Sequence, residues 1–414
     1  MKKRINIKKF ISNPLTPTWV GAFLDIIGLS ILMPFLPRIL LDMGIPLTKI
    51  GLLLSVNVFI GFFSGILWGA LSDKFGRRPI LLICRFGTLV GYVILAFSNN
   101  ITMVLISRIV DGTFSRSVQI VLTIIGDTVP SEQRGKEMSK AGAAWIVGGL
   151  VGPGIGALFS GSGIFGLGMI NAVLTGFAFL LTWFTLKESN PSMVGTESEE
   201  FEQLQKKKPI LSLGLLKQHN PRLLLGQSLF NVLSHFIFSF SISLYLTKQF
   251  DLSIAQIGTM LTFSGVVNLF VRLLIFPHVL RKLGDKKTLV LGFYVHLICF
   301  IWLIFVSQIW EFFAILVLIS FGTTCSMDIM NGVMSKVVKK KEMGEMIGLG
   351  SAIESISLVL APIIGSYLLS LEQSAYFGLT AAVVSLGSIL LGFIPMKKSA
   401  RILSDERLEL LSVD

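Results

Sequence analysis

Asp25 stands in Phe23-Leu24-Asp25-Ile26-Ile27-Gly28, nine residues into an apolar run. At 1.5 Å per helical residue that places it roughly 14 Å deep, near the middle of a bilayer. A carboxylate at that depth is costly unless it is neutralised. It therefore either sits in a fixed ion pair or loads and releases a proton, and the second reading is preferred here. Arg108 and Asp111 follow in Ser107-Arg108-Ile109-Val110-Asp111-Gly112, three residues apart and so on one helix face. Arg108 has two candidate counter-ions, Asp25 and Asp111. Arg116 adds a second permanent cation to the same stretch; it either faces an anionic substrate or neutralises Asp111. His235, Arg272, His296, Asp328 and Glu354 also fall in apolar runs. A histidine in an apolar helix is commonly hydrogen-bonded structure, but His296 is read as a titratable base able to handle a proton.

The elements that must position these groups are membrane helices. Apolar residues make up 52% of the 414 and charged residues 14%, where a soluble domain carries about a quarter charged; mean hydropathy is +0.76. Twelve stretches are long enough to cross the hydrocarbon: 16–38, 48–71, 78–98, 101–126, 138–160, 166–187, 221–247, 254–281, 286–306, 310–335, 344–370 and 373–396. The formal charge of +12 would suit a nucleic-acid binder, but its placement excludes that reading. Of the 36 Lys and Arg, 29 lie in segments on one side of these spans, three on the other and four inside them. That asymmetry puts both termini in the cytoplasm. Cys84, Cys299 and Cys325 all lie in apolar sequence and read as small buried hydrophobes, with no disulfide framework. Residues 1–15 lead straight into a full-length span, so no removable signal peptide is expected.

The chain reads as two halves: 1–187, a six-helix bundle; 188–218, a polar cytoplasmic linker with Glu197, Glu199, Glu200 and Glu202 before Lys206-Lys207-Lys208; 219–396, a second six-helix bundle; and 397–414, a cytoplasmic tail. Landmarks recur between the halves. Ile50-Gly51 matches Ile257-Gly258, Gly76 matches Gly284, and Gly152-Pro153 matches Ala361-Pro362, at offsets of 207 to 209 residues. The second-half turn departs in charge, with Arg281 where Asp73 stands and Asp285 where Arg77 stands.

Residues 69–79, Gly69-Ala-Leu-Ser-Asp73-Lys-Phe-Gly76-Arg77-Arg78-Pro, form a polar cationic turn between the second and third spans. This motif resembles the corresponding loop of the major facilitator superfamily at every expected position. The resemblance implies an all-α integral membrane protein of twelve transmembrane helices in two pseudo-symmetric six-helix bundles, with a substrate site between the bundles. It further implies that Asp127 pairs with Arg77 and that Asp73 caps the N-terminal end of the eleventh helix, a latch on the cytoplasmic side. Gly148-Gly149-Leu-Val-Gly152-Pro153-Gly154-Ile-Gly156 clears a helix face for close packing and bends the helix. It resembles the fifth-helix motif of proton-coupled exporters. The pattern Leu24-Asp25-x-x-Gly28 with Met33-Pro34-x-Leu36-Pro37 resembles the first helix of twelve-helix drug:proton antiporters of the tetracycline-resistance type. His296 lies where tetracycline exporters carry an acid, Gly91 falls near the family's third-helix acid, and Asn268 is nearest the eighth-helix histidine. These departures argue against a tetracycline–metal substrate in particular.

No phosphate-binding Gly-x-x-x-x-Gly-Lys-Ser/Thr run and no metal-ligand spacing occur, so neither an enzyme nor a cofactor or metal is expected. The reading is a secondary transporter of small molecules, a proton-coupled antiporter exporting small, partly apolar compounds by alternating access. Its partners are a small-molecule substrate, protons and the lipid bilayer, with no nucleic acid, and it acts as a monomer in the cell membrane. The rival readings are a metabolite or organic-anion facilitator or symporter using Arg116 and Arg272, and a non-transporting receptor or adaptor. The tail segment Glu406-Arg-Leu-Glu-Leu410-Leu411 resembles an acidic dileucine sorting signal, which would favour a vacuolar or lysosomal membrane.

Overall fold

The computed structural model describes residues 15–190, 214–339, 342–371 and 375–395. The basic N-terminal residues, most of the 188–218 stretch and the tail with Glu406 and Leu410-Leu411 lie outside them. Among the described residues the chain is helical, because a backbone in hydrocarbon must satisfy its own N–H and C=O groups. The helices are α1 Thr16–Asp42, α2 Leu47–Phe75, α3 Arg77–Ala96, α4 Ile101–Phe114, α5 Ser117–Thr128, α6 Ser131–Phe159, α7 Gly163–Thr185, α8 His219–Phe250, α9 Ile254–Phe270, α10 Phe276–Phe305, α11 Ile309–Thr323, α12 Ile329–Val337, α13 Met343–Ser370 and α14 Ala375–Gly392. Two π-helical turns, Val271–Ile275 and Thr324–Asp328, join α9 to α10 and α11 to α12. Among the described residues, eleven continuous helical stretches are long and apolar enough to cross a membrane, and one of them, Ile254–Phe305, runs for 52 residues. It breaks at Gly284, where φ is 70° and ψ 171°. Counted as two, it gives the twelve spans expected.

The chain packs as two compact units. One holds Met1–Lys207 with Ile242–Gly265, the other Lys208–Ser241 with Val266–Asp414, so the partition cuts through α8 and α9. In the first unit Trp19 and Ala22 of α1, Leu81 and Cys84 of α3, and Val121 and Ile125 of α5 form a buried cluster. In the second, Leu224, Leu289, Phe293, Met330 and Met346 do the same.

The stripe Gly148, Gly152 and Gly156 lets α6 lie against α1. A Cβ on Gly148 would come within 2.7 Å of Ile26, and one on Gly152 within 2.5 Å of Ser30. The opposite side of the same helix meets α9: a Cβ on Gly258 would fall 3.2 Å from the Pro153 carbonyl. Substitution in this stripe would therefore move α1, the helix that carries Asp25.

Two elements differ from the sequence reading. The second helix does not end near residue 71 but continues to Phe75, so Gly69 is a helical residue and Gly76 alone makes the turn, at φ 99°. The Asp73–Arg77 pair spans the Gly76 turn and ties the last turn of α2 to the start of α3. The fourth span is not one helix over 101–126. It is interrupted at Ser115, with φ −73° and ψ 48°, where the Arg116 N–H donates to the Phe114 carbonyl at 2.7 Å. This is an inverse γ-turn, and it separates α4 from α5 near the middle of the span.

Candidate functional site

The first unit buries a cluster of charges. Asp25 on α1 accepts from Arg85 Nη2 on α3 at 3.0 Å, and the arginine side chain is 1% exposed. Arg85 Nη1 also donates to the Ala178 carbonyl at 3.1 Å and to the Thr182 hydroxyl on α7. Gly21, one turn before Asp25, makes room for this: a Cβ there would lie 2.7 Å from the guanidinium carbon. Asp25 is thus held by Arg85. Of the two counter-ions open to Arg108, it takes Asp111, at 3.1 Å. Asn57 of α2 donates to the same Asp111 oxygen at 2.9 Å and to the Arg108 carbonyl at 3.3 Å. Gly112 permits that approach, since a Cβ on it would sit 2.6 Å from the Asn57 carbonyl. The Arg108 guanidinium also lies 6.0 Å from the Tyr92 ring centre. Arg116 lies against Gly61 and Gly65 of α2, and its buried Nε meets no acceptor.

At the α2–α3 turn, Arg77 Nε donates to Asp127 Oδ2 at 2.9 Å, with both side chains at most 5% exposed. Arg77 also donates to Asp73 and, at 2.7 Å, to the Ser72 hydroxyl. A residue absent from the sequence reading completes the turn. The Glu188 carboxylate, just beyond α7, accepts from the backbone N–H groups of Arg77 at 2.9 Å and Arg78 at 3.1 Å. It thereby caps the positive end of α3. It also accepts from Ser189 and Asn190 N–H, each at 2.9 Å. Burial works against its charge, but these four donors prevail and hold its carboxyl below the usual glutamate range. Asn190 Nδ2 then donates to the Asp73 carbonyl at 2.8 Å. Arg78 donates to the Trp183 carbonyl at 2.8 Å.

The second unit holds a polar chain around His296. Its Nδ1 lies 3.2 Å from Asn231 Oδ1 and its Nε2 3.1 Å from Thr323 Oγ1. Thr323 is in turn 3.3 Å from His235 Nδ1, and the two imidazoles stack with centres 6.0 Å apart. Gly292 lets α10 pack onto the second π-helical turn, since a Cβ there would fall 2.7 Å from Ser326 N. Arg272 and Asp328, one on each π-helical turn, form a forked pair at 2.9 and 2.5 Å.

A family model described as Major Facilitator Superfamily matches residues 18–234 and 223–411. The chain belongs to the Major Facilitator Superfamily. Among its relatives, "Tetracycline resistance protein, class B" of Escherichia coli is 26% identical over 83% of this chain and 86% of its own. "Multi-drug resistance efflux pump PmrA" of Streptococcus pneumoniae serotype 4 is 25% identical over 84% of this chain and 87% of its own. The crystal structure of the nucleoside transporter NupG shares the fold, with a TM-score of 0.70 at 14% identity over 92% of this chain and 98% of its own.

For this superfamily member, three groups escaped the sequence reading: Arg85 as the partner of Asp25, Asn57 as the tie between α2 and α4, and Glu188 as the cap of α3. The first was detectable in principle. A buried carboxylate demands a counter-charge, and Arg85 is one of the four basic residues inside spans. Glu188 had a weaker signal, an acid followed by Ser189-Asn190 directly after a span.

Proposed function

We propose that this chain is a proton-coupled antiporter that exports small, partly apolar compounds across the cell membrane by alternating access, as a monomer with both termini in the cytoplasm. The observation that carries the reading is the Asp25–Arg85 pair, buried at mid-span between α1 and α3 beside the glycine stripe of α6. Protonating Asp25 discharges one half of that pair and leaves Arg85 without its counter-ion. The pair thus has two states of different charge on the helix against which α6 packs. Asp111 and His296 assist as further proton-handling groups in this reading. Asp73, Arg77, Arg78 and Asp127 serve as the cytoplasmic gate at the Gly76 turn, with Gly69 in the last turns of α2. The printed names of the relatives, tetracycline resistance and multidrug efflux, support export. The substrate is a proposal on this chain.

Proteoliposomes with an imposed pH gradient test the assignment. Proton movement opposite to substrate is expected in the native protein, and Asp25→Asn should abolish the gradient-driven component while leaving counterflow measurable. Full gradient-driven exchange in Asp25→Asn would sink the assignment. Proton and substrate moving together would replace antiport with symport.

A further inference from the structure

In the first unit α3 packs against both α4 and α7, and a groove of about 560 Å³ lies where the three meet. It extends along α3 from Leu82 to Val90 and is bounded by Phe114 of α4 and by Phe179 and Trp183 of α7. Every side chain that lines it is aliphatic or aromatic. The Phe114 ring lies directly on Gly87, where a Cβ would collide with it. Phe86, Phe179 and Trp183 form an aromatic wall, with successive ring centres 5.9 and 5.8 Å apart. Phe86 and Trp183 are 55% and 52% exposed, so the groove opens outward from the unit.

The length of the groove selects its occupant. Leu82 and Val90 are eight residues apart, about 12 Å of helix. One leaflet contributes roughly 15 Å of hydrocarbon, so the groove fits within a single leaflet, the one on the side of the Gly76 turn. Arg78 stands one turn before Leu82, on the same helix face and about 6 Å nearer that surface. Its Nη2 donates to the Trp183 carbonyl at 2.8 Å, which fixes the guanidinium at the end of the groove. Its other N–H groups meet no acceptor among the described residues, and Nε is buried. Lys187, exposed, adds a second cation just beyond α7. The neighbouring acid, Glu188, is taken up by four backbone N–H groups. A dry, leaflet-length groove thus ends at a cationic mouth.

We propose that this groove seats an acyl chain of an anionic phospholipid, with the lipid phosphate held by Arg78 and Lys187. In the orientation proposed above the lipid belongs to the cytoplasmic leaflet, where anionic headgroups draw basic residues to the surface. The guanidinium fork matches phosphate oxygens, and Trp183 at the mouth suits the boundary between hydrocarbon and headgroups. A zwitterionic lipid offers the same chains but brings its own cation to the two already present. The site therefore discriminates by headgroup charge while the groove supplies the seat.

Full-length protein in phosphatidylcholine vesicles tests this by fluorescence quenching with brominated lipids. The Trp183 signal is the part of the tryptophan emission lost in Trp183→Phe. Brominated phosphatidylglycerol should compete for the site beside Trp183 at least fivefold better than brominated phosphatidylcholine with the same chains. Arg78→Gln should reduce that preference to twofold or less, and Lys187→Gln should reduce it by a smaller factor. Ile83→Phe fills part of the groove without changing charge, and should also lower the preference. Should Arg78→Gln fail to fold, Lys187→Gln and Ile83→Phe decide the matter by the same ratio. A ratio near one in the native protein, or a ratio unchanged in Arg78→Gln or in Ile83→Phe, overturns the proposal. So does erasure of the preference by inorganic phosphate in solution, which would make Arg78 a soluble-anion site. The ratio is read without substrate or pH gradient and with lipid in both leaflets, so the site and the antiport assignment can fail independently.

Discussion

Gly76 turns the chain between α2 and α3 at φ 99° and ψ 151°. Gly284, at the matching place in the second half, does so at φ 70° and ψ 171°. The residue after each glycine reaches for the end of another helix. In the first turn Arg77 meets Asp127, with side chains 5% and 4% exposed. In the second, Asp285 meets Lys336 at 2.5 Å, with side chains 37% and 67% exposed. The sign of the pair is reversed and its burial lost. One backbone design therefore carries a desolvated charge lock in one half and a solvated surface pair in the other. A buried pair is expensive to break because the survivor stays charged out of water, whereas an exposed pair contributes little.

Removing one carboxylate from each turn is the strongest way to break the comparison. Asp127→Asn leaves Arg77 buried without its main counter-ion, and should destabilise the protein by about 3 kcal/mol or more. Asp285→Asn should cost less than about 1 kcal/mol. The apparent unfolding temperature of each purified variant reads the contrast. Equal shifts would mean that burial does not distinguish the two turns.

The comparison also shows what sequence reading reaches. The twelve spans, the two halves and the charge reversal at 285 are legible because hydropathy, period and charge are properties of consecutive residues. The pairing of Arg77 with Asp127 came through the resemblance, since fifty residues separate the two. That Asp25 needs a counter-charge was legible, but that Arg85 rather than another arginine supplies it was not. Choosing among Arg85, Arg108 and Arg116 as its partner depends on how α1, α3 and α4 are rotated, and that follows from glycine contacts such as Gly21 against Arg85. The interruption at Ser115 left no mark either, because a serine between Phe114 and Arg116 breaks no propensity rule strongly. The structure there is decided by packing.

A second test asks whether the shared backbone is truly shared. Alanine at a positive φ with extended ψ, a region essentially reserved for glycine, costs about 1–3 kcal/mol. Around Gly284 nothing lies within 4 Å of the added carbon, so its penalty would be backbone strain alone. Gly76→Ala and Gly284→Ala should therefore lower stability by similar amounts in the same unfolding assay. A neutral Gly284→Ala would mean that the second turn relaxes to a negative φ and only the first needs its glycine.

The smallest effect concerns Glu188, which anchors the first turn from a third segment. Glu188→Gln keeps an acceptor at the start of α3 but loses the charge, and should cost about 1 kcal/mol at neutral pH. The pH dependence separates this from a packing effect. The folded protein lowers the proton affinity of Glu188, so its stabilisation is fully present above the unfolded-state value near about 4.3 and is lost as pH falls through the lower folded-state value. Native protein and Glu188→Gln should therefore differ at pH 7 and converge as the medium is taken below about pH 4. A difference that stays constant over that range would show that the carboxylate acts through shape. The charge on the positive end of α3 would then play no part in what sets the first turn apart from the second.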